Sequence, residues 1–569
     1  MAASVGEANP AATFHVNARS VVVDVVVTDR NGKAVTGLPR EEFQVFEDGK
    51  PQAITFFEQH AGAPTGAAPA APPPLPPNTF TNVPAAVPAD AVNVLLMDAL
   101  NTPMDDQSYV HKEMVKYLGT IPPGIRIAVF LLSERLRIVQ GFTEDSSALR
   151  AAIAHTAANP SNSPLMATAA ENDLNQNAVQ MIGSMGPAGN AQSASSAASL
   201  QEFLNEQSNF QSNVRTEWTL EALQQLALYL GGVPGRKNLV WFSSTFSLCM
   251  FAKDREECPY YDKLKKTLDM LADAQVSLYP IEASGLTGGF DGGDASIAPR
   301  QLYSSQQATA AYSAAVSSAA FARNNNHLAM DEIARETGGK ATYNLNGLSE
   351  SLAADVDNGA RYYTLAYTPT NAREIGKERK IQVKLASGRY NLAYRRSYIE
   401  DTPKERRAAE AARMKDPLRP LMDRGMPNFT ALHYRMSVAP DKSEPAAHSA
   451  RAGYNSAMQG PGTRYGVDFA LSMDGLDLIP GPNGLRLGKI EVALVAYSHD
   501  GKALNWEVHF VGLAVRPEQY AEARKSGIPF HMDLNVPPGD VYLRSGIYDT
   551  FSSKAGTLEI PLSAVTAAK

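Results

Sequence analysis

Three short, mostly apolar runs constrain the fold of this chain more than any other feature of its sequence. They lie at residues 92–97, 238–242 and 276–281. A strand that is apolar on both faces is typical of a parallel sheet whose two faces are both covered. Segments with apolar residues at helical spacing separate these runs. The alternation predicts a doubly wound, Rossmann-like α/β sheet with helices on both faces.

The length of 569 residues predicts several domains, about three to five at roughly 100–200 residues each. Strand and turn patterns precede and follow the α/β region, and we interpret each flank as a β-sandwich (Ig-like) module. The predicted fold class is therefore multidomain α/β plus all-β. The predicted order is an N-terminal β-sandwich module at 12–60, a Pro/Ala-rich linker at 61–90, an α/β domain at 91–400, a charged helical connector at 401–426 and a C-terminal β-sandwich domain at 427–569.

Two long insertions interrupt the predicted α/β domain, at 157–213 and 284–320. The first is rich in Asn, Ser, Ala, Gln and Met, and the second in Gly, Ser and Ala. Both compositions are typical of mobile loops or of a partly helical excursion from the domain.

The charge balance restricts the partners of the chain. Lys plus Arg number 52 and Asp plus Glu number 59, which gives a net charge of −7. A nucleic-acid-binding protein needs a cationic face to neutralise phosphates, so we expect no nucleic-acid partner. No stretch of about 18 consecutive apolar residues occurs, so we expect no transmembrane segment.

The first ten residues have neither the basic start nor the apolar core of a signal peptide. Two interpretations stay open at this point. The protein is cytoplasmic, or the chain begins after a signal peptide has been removed.

Two cysteines, Cys249 and Cys258, lie nine positions apart. Two lone cysteines are too few for a zinc site. They are either unrelated thiols or a disulfide that closes a short loop, and the disulfide would imply an oxidising compartment.

Oxygen-bearing side chains follow the predicted strands at one edge of the sheet. Asp98 ends the first apolar run, Thr102 lies on the loop after it, and Thr219 opens the helix before the second run. Ligands of open α/β sheets bind beyond the carboxyl ends of the strands. Carboxylate and hydroxyl oxygens suit Mg²⁺, Mn²⁺ or Ca²⁺. The alternative is that Asp98 is a turn and cap residue.

Common catalytic motifs are absent from the sequence, including G-x-x-x-x-G-K-S/T, G-x-S-x-G and H-E-x-x-H. The ten histidines show no metal-ligand spacing. We therefore predict that the protein is not an enzyme, and the enzyme alternative is a metal-assisted hydrolase that uses Asp98.

Several stretches, in their order along the chain, resemble the VWFA-related domain family expanded in acidobacteria, with a central von Willebrand factor A (VWA) domain. The resemblance covers about residues 15–400. The matching stretches lie at 27–33, 42–50, 98–102, 235–243, 334–339 and 361–369.

The resemblance implies a Rossmann-like domain for protein–protein recognition with a metal-ion-dependent adhesion site (MIDAS). That site uses Asp-x-Ser-x-Ser, a Thr from a second loop and an Asp from a third, and an acidic group of the partner completes the metal shell. Asp98 matches the first Asp, Thr102 the second Ser, and Thr219 the Thr. Leu100 stands at the first Ser position and Ser244 at the position of the last Asp. The resemblance thus implies a degenerate MIDAS, with Mg²⁺, Mn²⁺ or Ca²⁺ as its ion.

The resemblance also implies a non-catalytic adhesion scaffold that binds protein partners. Many members are exported, which favours a periplasmic or extracellular location and a Cys249–Cys258 disulfide. The alternative is a structural protein that self-assembles into a surface layer or filament through exposed edge strands, so a homo-oligomer stays open.

Overall fold

The computed structural model describes residues 20–61, 75–83, 91–122, 124–158, 191–246, 260–284, 305–344, 347–370, 377–399, 418–440, 461–552 and 554–566, with a few more between 165 and 182. The longer helices in these ranges are α1 (Met104–Leu118), α2 (Ser146–Ala158), α3 (Ala191–Leu230), α4 (Tyr261–Asp273), α5 (Ser305–Thr337), α6 (Leu348–Gly359) and α7 (Pro517–Ser526). The strands are β1 (Val21–Thr28), β2 (Phe43–Glu47), β3 (Lys50–Gln52), β4 (Ile54–Ala61), β5 (Thr79–Thr81), β6 (Ala91–Asp98), β7 (Ile127–Leu132), β8 (Leu136–Thr143), β9 (Arg236–Ser243), β10 (Val276–Glu282), β11 (Arg361–Tyr367), β12 (Glu378–Leu385), β13 (Asn391–Ala393), β14 (Ser397–Ile399), β15 (Tyr434–Pro440), β16 (Thr463–Leu471), β17 (Ile479–Pro480), β18 (Arg486–Ser498), β19 (Ala503–Val515), β20 (Ile528–Val536), β21 (Val541–Asp549) and β22 (Ala555–Pro561).

The central sheet has the doubly wound α/β architecture that the apolar runs predict. Its order is β10-β9-β6-β7-β8, and β8 is antiparallel to the other four strands. Numbered along the chain within this sheet and taken from β8 to β10, the strands follow the order 3-2-1-4-5, the order of a Rossmann-like fold. Helices α1, α2 and α6 cover one face, while α3, α4 and α5 cover the other. The order reverses between β6 and β9, which makes their carboxyl ends the expected ligand-binding edge.

The N-terminal β module extends beyond the predicted range 12–60, of which 12–19 lie outside the described residues. Strands β1 to β4 form two sheets, β13-β1-β11-β4 and β14-β12-β2-β3, together with four strands from 361–399. The two sheets share one apolar core, which includes Val23 and Ile381. The predicted α/β domain at 91–400 includes residues 361–399, whereas in the structure that domain ends at about residue 360. The sequence pattern of residues 361–399 indicates strands, but it does not indicate that they pair with strands about 300 or more residues earlier.

The predicted linker at 61–90 contains a strand. β5 pairs with β15 of the C-terminal module, and the Asn82 side chain donates to the carbonyls of Phe429 and Leu432 at 2.9 and 2.7 Å. The Asn82 side-chain oxygen accepts from the backbone N–H of Tyr434 at 2.9 Å. The proline-rich residues around β5 gave no sequence signal for a strand. This three-residue strand forms by pairing with β15.

The C-terminal module again has two sheets, β20-β16-β15-β5 and β17-β18-β21-β22, with β19 paired to β18. Of the predicted connector at 401–426, residues 401–417 lie outside the described residues. The rest is not a charged helix, because Leu418, Leu421 and Met422 are buried against the α/β domain. The C-terminal module therefore begins near residue 418, and its Ig-like character stays a prediction.

Both predicted insertions are partly helical. Residues 191–213 continue into α3, and residues 305–320 belong to α5; most of 159–190 and all of 285–304 lie outside the described residues. No helix in the described ranges is long and apolar enough to cross a membrane.

Lys237, at the start of β9, predicts a pH dependence of stability. It is 2% exposed, it donates to the carbonyl of Val233 at 2.7 Å, and burial lowers its pKa to about 7 while the charge of Asp24 opposes the shift. Between pH 7 and about 10 the unfolded chain therefore binds more protons than the folded chain, so this group makes stability rise with pH. We expect Lys237→Met to lose that rise in urea unfolding at pH 7, 8 and 9. Parallel pH slopes for the two proteins would contradict the assignment.

Candidate functional site

The candidate site lies at the carboxyl edge of the central sheet, where its strand order reverses. Asp98 is the last residue of β6 and is 2% exposed. Its neighbour in the sheet, β9, ends at Ser243. The burial of Asp98 follows from its place on the central strand, which has neighbours on both sides.

Three N–H groups bind the Asp98 carboxylate. Oδ1 accepts from the backbone N–H of Asn101 at 3.0 Å. Oδ2 accepts from the Asn101 side-chain amide at 2.9 Å and from the Trp241 indole at 3.0 Å. Burial raises the pKa of Asp98, although its hydrogen bonds with Asn101, Trp241 and Ser243 oppose the shift. Both carboxylate oxygens are therefore engaged by the protein itself.

Asn101 also connects Asp98 to the predicted Thr219. Its side-chain amide donates to Thr219 Oγ1 at 2.8 Å. Thr219 lies on α3 and is buried. The structure thus brings Asp98 and Thr219 to one place, with an amide group between them.

Thr102 lies at the same edge of the sheet but binds the loop after β9. Its Oγ1 accepts from the backbone N–H of Ser244 at 3.2 Å, and the Ser244 hydroxyl donates to Asp106 at 2.6 Å. Asn326 of α5 binds this loop from the other side, since its side chain accepts from the Phe246 N–H at 2.6 Å. Thr102 therefore fixes the loop after β9 through a hydrogen bond.

A shallow pocket opens beside Asn101 and Thr219. Its volume is about 10 Å³, close to the least that admits one water molecule. Arg215, one turn before Thr219 on α3, also lines it. The lining residues are Asn101, Ser212, Arg215, Thr216, Thr219, Trp241 and Thr245.

A second polar cluster ends the neighbouring strand β10. Glu282 lies 3.2 Å from the His327 ring nitrogen and accepts from the backbone N–H of Asn344 at 3.3 Å. The His327 ring stacks on Tyr343 with centroids 4.1 Å apart. These contacts fasten α5 to the sheet edge.

The donor set around Asp98 does not suit a divalent cation. Mg²⁺, Mn²⁺ and Ca²⁺ need six or more oxygen ligands, and an amide nitrogen with its hydrogens occupies the space between Asp98 and Thr219. The cationic Arg215 lies close enough to interact with Asp98. In the described ranges, no group of three or more His, Cys, Asp or Glu is placed to hold a metal ion.

We expect the thermal midpoint to be the same in EDTA, Mg²⁺, Mn²⁺ and Ca²⁺, because both Asp98 oxygens already accept hydrogen bonds and the Asn101 amide nitrogen lies between Asp98 and Thr219. Bound metal at about one hundred times its Kd would add roughly 2.7 kcal/mol, a shift of several degrees. Asp98→Ala should lower the midpoint in every buffer, since three buried N–H groups lose their acceptor. A metal-dependent shift that this variant abolishes would contradict the expectation.

Sequence patterns alone missed Asn101, Trp241 and Arg215. Asn101 lies inside the quoted stretch 98–102, so its place on the loop was visible but its bond to Asp98 was not. In the sequence, Trp241 is one apolar residue of a predicted strand. Arg215 is one polar residue among many before the predicted helix. Cys249 and Cys258 lie outside the described residues.

No protein-family model matches the chain, and no curated protein matches it significantly. Solved structures share parts of the fold at low similarity. An aerotolerance-related membrane protein from Bacteroides fragilis is 7% identical with a TM-score of 0.23, over 47% of this chain and 98% of that one. Proximal thread matrix protein 1 of the mussel byssus, with a zinc-occupied MIDAS motif, is 10% identical with a TM-score of 0.21, over 51% and 49%. A von Willebrand factor type A protein from Catenulispora acidiphila is 11% identical with a TM-score of 0.17, over 66% and 83%. Scores this low leave family and function open.

Proposed function

We propose that this protein is a non-catalytic binding scaffold that recognises another protein at the carboxyl edge of its α/β sheet. We also propose that the scaffold is exported, because many members of the family that its sequence resembles are exported. The recognition edge is a degenerate MIDAS that works without metal.

The observation that carries the proposal is the pair of helices that extend past the sheet edge. Thr219 lies at the level of the edge, so the 28 residues of α3 before it reach about 40 Å beyond at 1.5 Å per residue. Asn326 places α5 at the same level, and its 21 preceding helical residues reach about 30 Å beyond. The pocket beside Asp98 thus lies at the base of the α3 projection, and its lining residue Thr245 belongs to the loop that Asn326 of α5 binds.

Large aromatic side chains are exposed on these projections. Phe203 and Phe210 of α3 are 60% and 66% exposed, and Phe321 of α5 is 68% exposed. Residues 203 and 210 are two turns apart and share one face of the helix. Aromatic residues are enriched at the centres of protein interfaces, which supports a protein partner over a small molecule.

The chemistry of the edge supports a role without catalysis. A general acid or base must exchange a proton with substrate, and both Asp98 oxygens already accept hydrogen bonds from buried groups. The Ser244 hydroxyl is held by Asp106 and has no adjacent histidine to activate it among its described contacts.

A photo-crosslinker at the pocket mouth tests the proposal. Thr245→benzoylphenylalanine should crosslink a protein from an envelope extract, because residue 245 lines the pocket. Thr120→benzoylphenylalanine is the matched control, since Thr120 is exposed after α1 at the opposite edge of the sheet. Equal crosslinking at positions 245 and 120, or none at either, would overturn the proposal.

A further inference from the structure

We propose that Arg215 supplies the positive charge at this edge and binds a carboxylate of an acidic partner side chain directly. This inference rests on the proposed function, and it names the chemistry of the partner. No metal ion takes part in it.

The Arg215 guanidinium is a cation with unmet hydrogen bonds. Its Nε is buried and has no hydrogen-bond partner. Burial lowers the Arg215 pKa, and the charge of Asp98 only partly offsets that effect. A guanidinium keeps its charge in proteins, so an arriving anion would relieve an unfavourable state of the free protein.

Asp98 does not meet this need. Its two oxygens accept three hydrogen bonds from Asn101 and Trp241, and none from Arg215 among the described contacts. It acts on Arg215 through space, as a buried negative charge behind the pocket. The arrangement leaves the donors of Arg215 for a ligand from outside.

Residues with neutral hydroxyl groups line the pocket together with Arg215. Ser212, Thr216 and Thr245 line the pocket together with Thr219. Thr219 Oγ1 accepts from Asn101, which leaves its own hydrogen to donate. One guanidinium with hydroxyl groups in the same pocket is complementary in charge and shape to a singly charged, planar carboxylate.

A phosphate group fits the same wall less well. It carries close to two negative charges at neutral pH, whereas this pocket supplies one guanidinium and has Asp98 and Asp106 nearby. A carboxylate group is also smaller than a phosphate group, so it needs less widening of a pocket whose volume is about 10 Å³. An Asp or Glu side chain is therefore the expected ligand.

Arginine-selective ¹⁵N NMR of the full chain tests the inference with defined probes. The probes are a capped Gly/Ser peptide with one central aspartate, its asparagine version and its phosphoserine version, each titrated to tens of millimolar. The Arg215 Nε–H signal, identified by its loss in Arg215→Gln, should shift with the aspartate peptide alone and equally in EDTA and Mg²⁺. No shift, an equal shift with the asparagine peptide, a larger shift with the phosphoserine peptide or a need for Mg²⁺ would overturn it.

The crosslinking assay separates this inference from the proposed function. Arg215→Gln should lower the yield at position 245 at least tenfold, while the matched Arg150→Gln on the exposed face of α2 leaves it unchanged. An undiminished yield in Arg215→Gln would overturn the role of Arg215 and leave protein binding at this edge intact. Absence of crosslinks at 245 in the unmodified background would overturn the proposed function instead.

Discussion

Gly339→Ala should lower the free energy of unfolding by about 3 kcal/mol or more, the upper range for overpacking a buried position. A β-carbon built on Gly339 would lie 1.8 Å from the carbonyl oxygen of Leu278 and 2.6 Å from its carbonyl carbon. Leu278 lies within β10, so its backbone cannot withdraw without breaking the sheet. Gly339 follows the end of α5, and its loss should also loosen the helix beside the recognition edge.

Urea unfolding of Gly339→Ala and of a matched glycine variant measures this effect. Gly512 lies in β19 with open space around its Cα, so Gly512→Ala should stay within about 1 kcal/mol of the parent protein. If the two variants have equal midpoints, the close approach of Gly339 to Leu278 is wrong.

Arg544→Met should destabilise the C-terminal module by about 3–5 kcal/mol, the usual cost of removing one member of a buried charged network. The Arg544 side chain is fully buried, and it donates to the carbonyls of Leu421, Met426 and Pro427 at 2.9 Å each. It also binds Glu559 at 3.3 Å. Methionine fills much of the volume but leaves these carbonyls without a donor.

The matched control for Arg544 is Arg486→Met on β18 of the same sheet, where the side chain is exposed. We expect that variant to unfold at the same urea concentration as the parent protein. Arg544 binds the carbonyls of the segment 418–427, which packs on the α/β domain. In limited proteolysis, Arg544→Met should therefore be cleaved faster within this segment than the parent protein. Equal proteolysis of both variants would contradict this role.

These effects bear on function through the recognition edge. Gly339 and Asn326 both fasten α5, and α5 carries one of the two projections. A variant that loosens α5 should therefore reduce crosslinking at position 245 even though it contacts no partner. Arg544 belongs to the C-terminal module and is distant in sequence from the residues of that edge. Arg544→Met therefore tests whether destabilisation of the protein alone reduces crosslinking at position 245.

Much of the architecture was predictable from local patterns. The three apolar runs became the parallel strands β6, β9 and β10. Asp98 was predictable as an edge residue because it ends a strand that needs neighbours on both sides. The type of each element depends on spacing within a few residues, and that spacing is written in the chain.

The metal expectation shows what local patterns could not supply. Asp98, Thr102 and Thr219 have the residue types of a metal site, yet their surroundings depend on Trp241 and Asn101. Trp241 is 143 positions from Asp98, and no pattern near either residue indicates that the indole would donate to the carboxylate. The state of the carboxylate was decided by a contact between two strands.

The sequence by itself determined the parallel strands of the α/β domain, the doubly wound sheet and the edge at which Asp98 lies, because hydrophobic periodicity and strand ends are local properties. Only the tertiary structure decided that strands from 361–399 complete the N-terminal sandwich, that Thr79–Thr81 joins the C-terminal module, and that Asp98 is bound by N–H groups. Strand pairing and burial join residues hundreds of positions apart. Which donors meet a buried carboxylate depends on the packing of the whole chain.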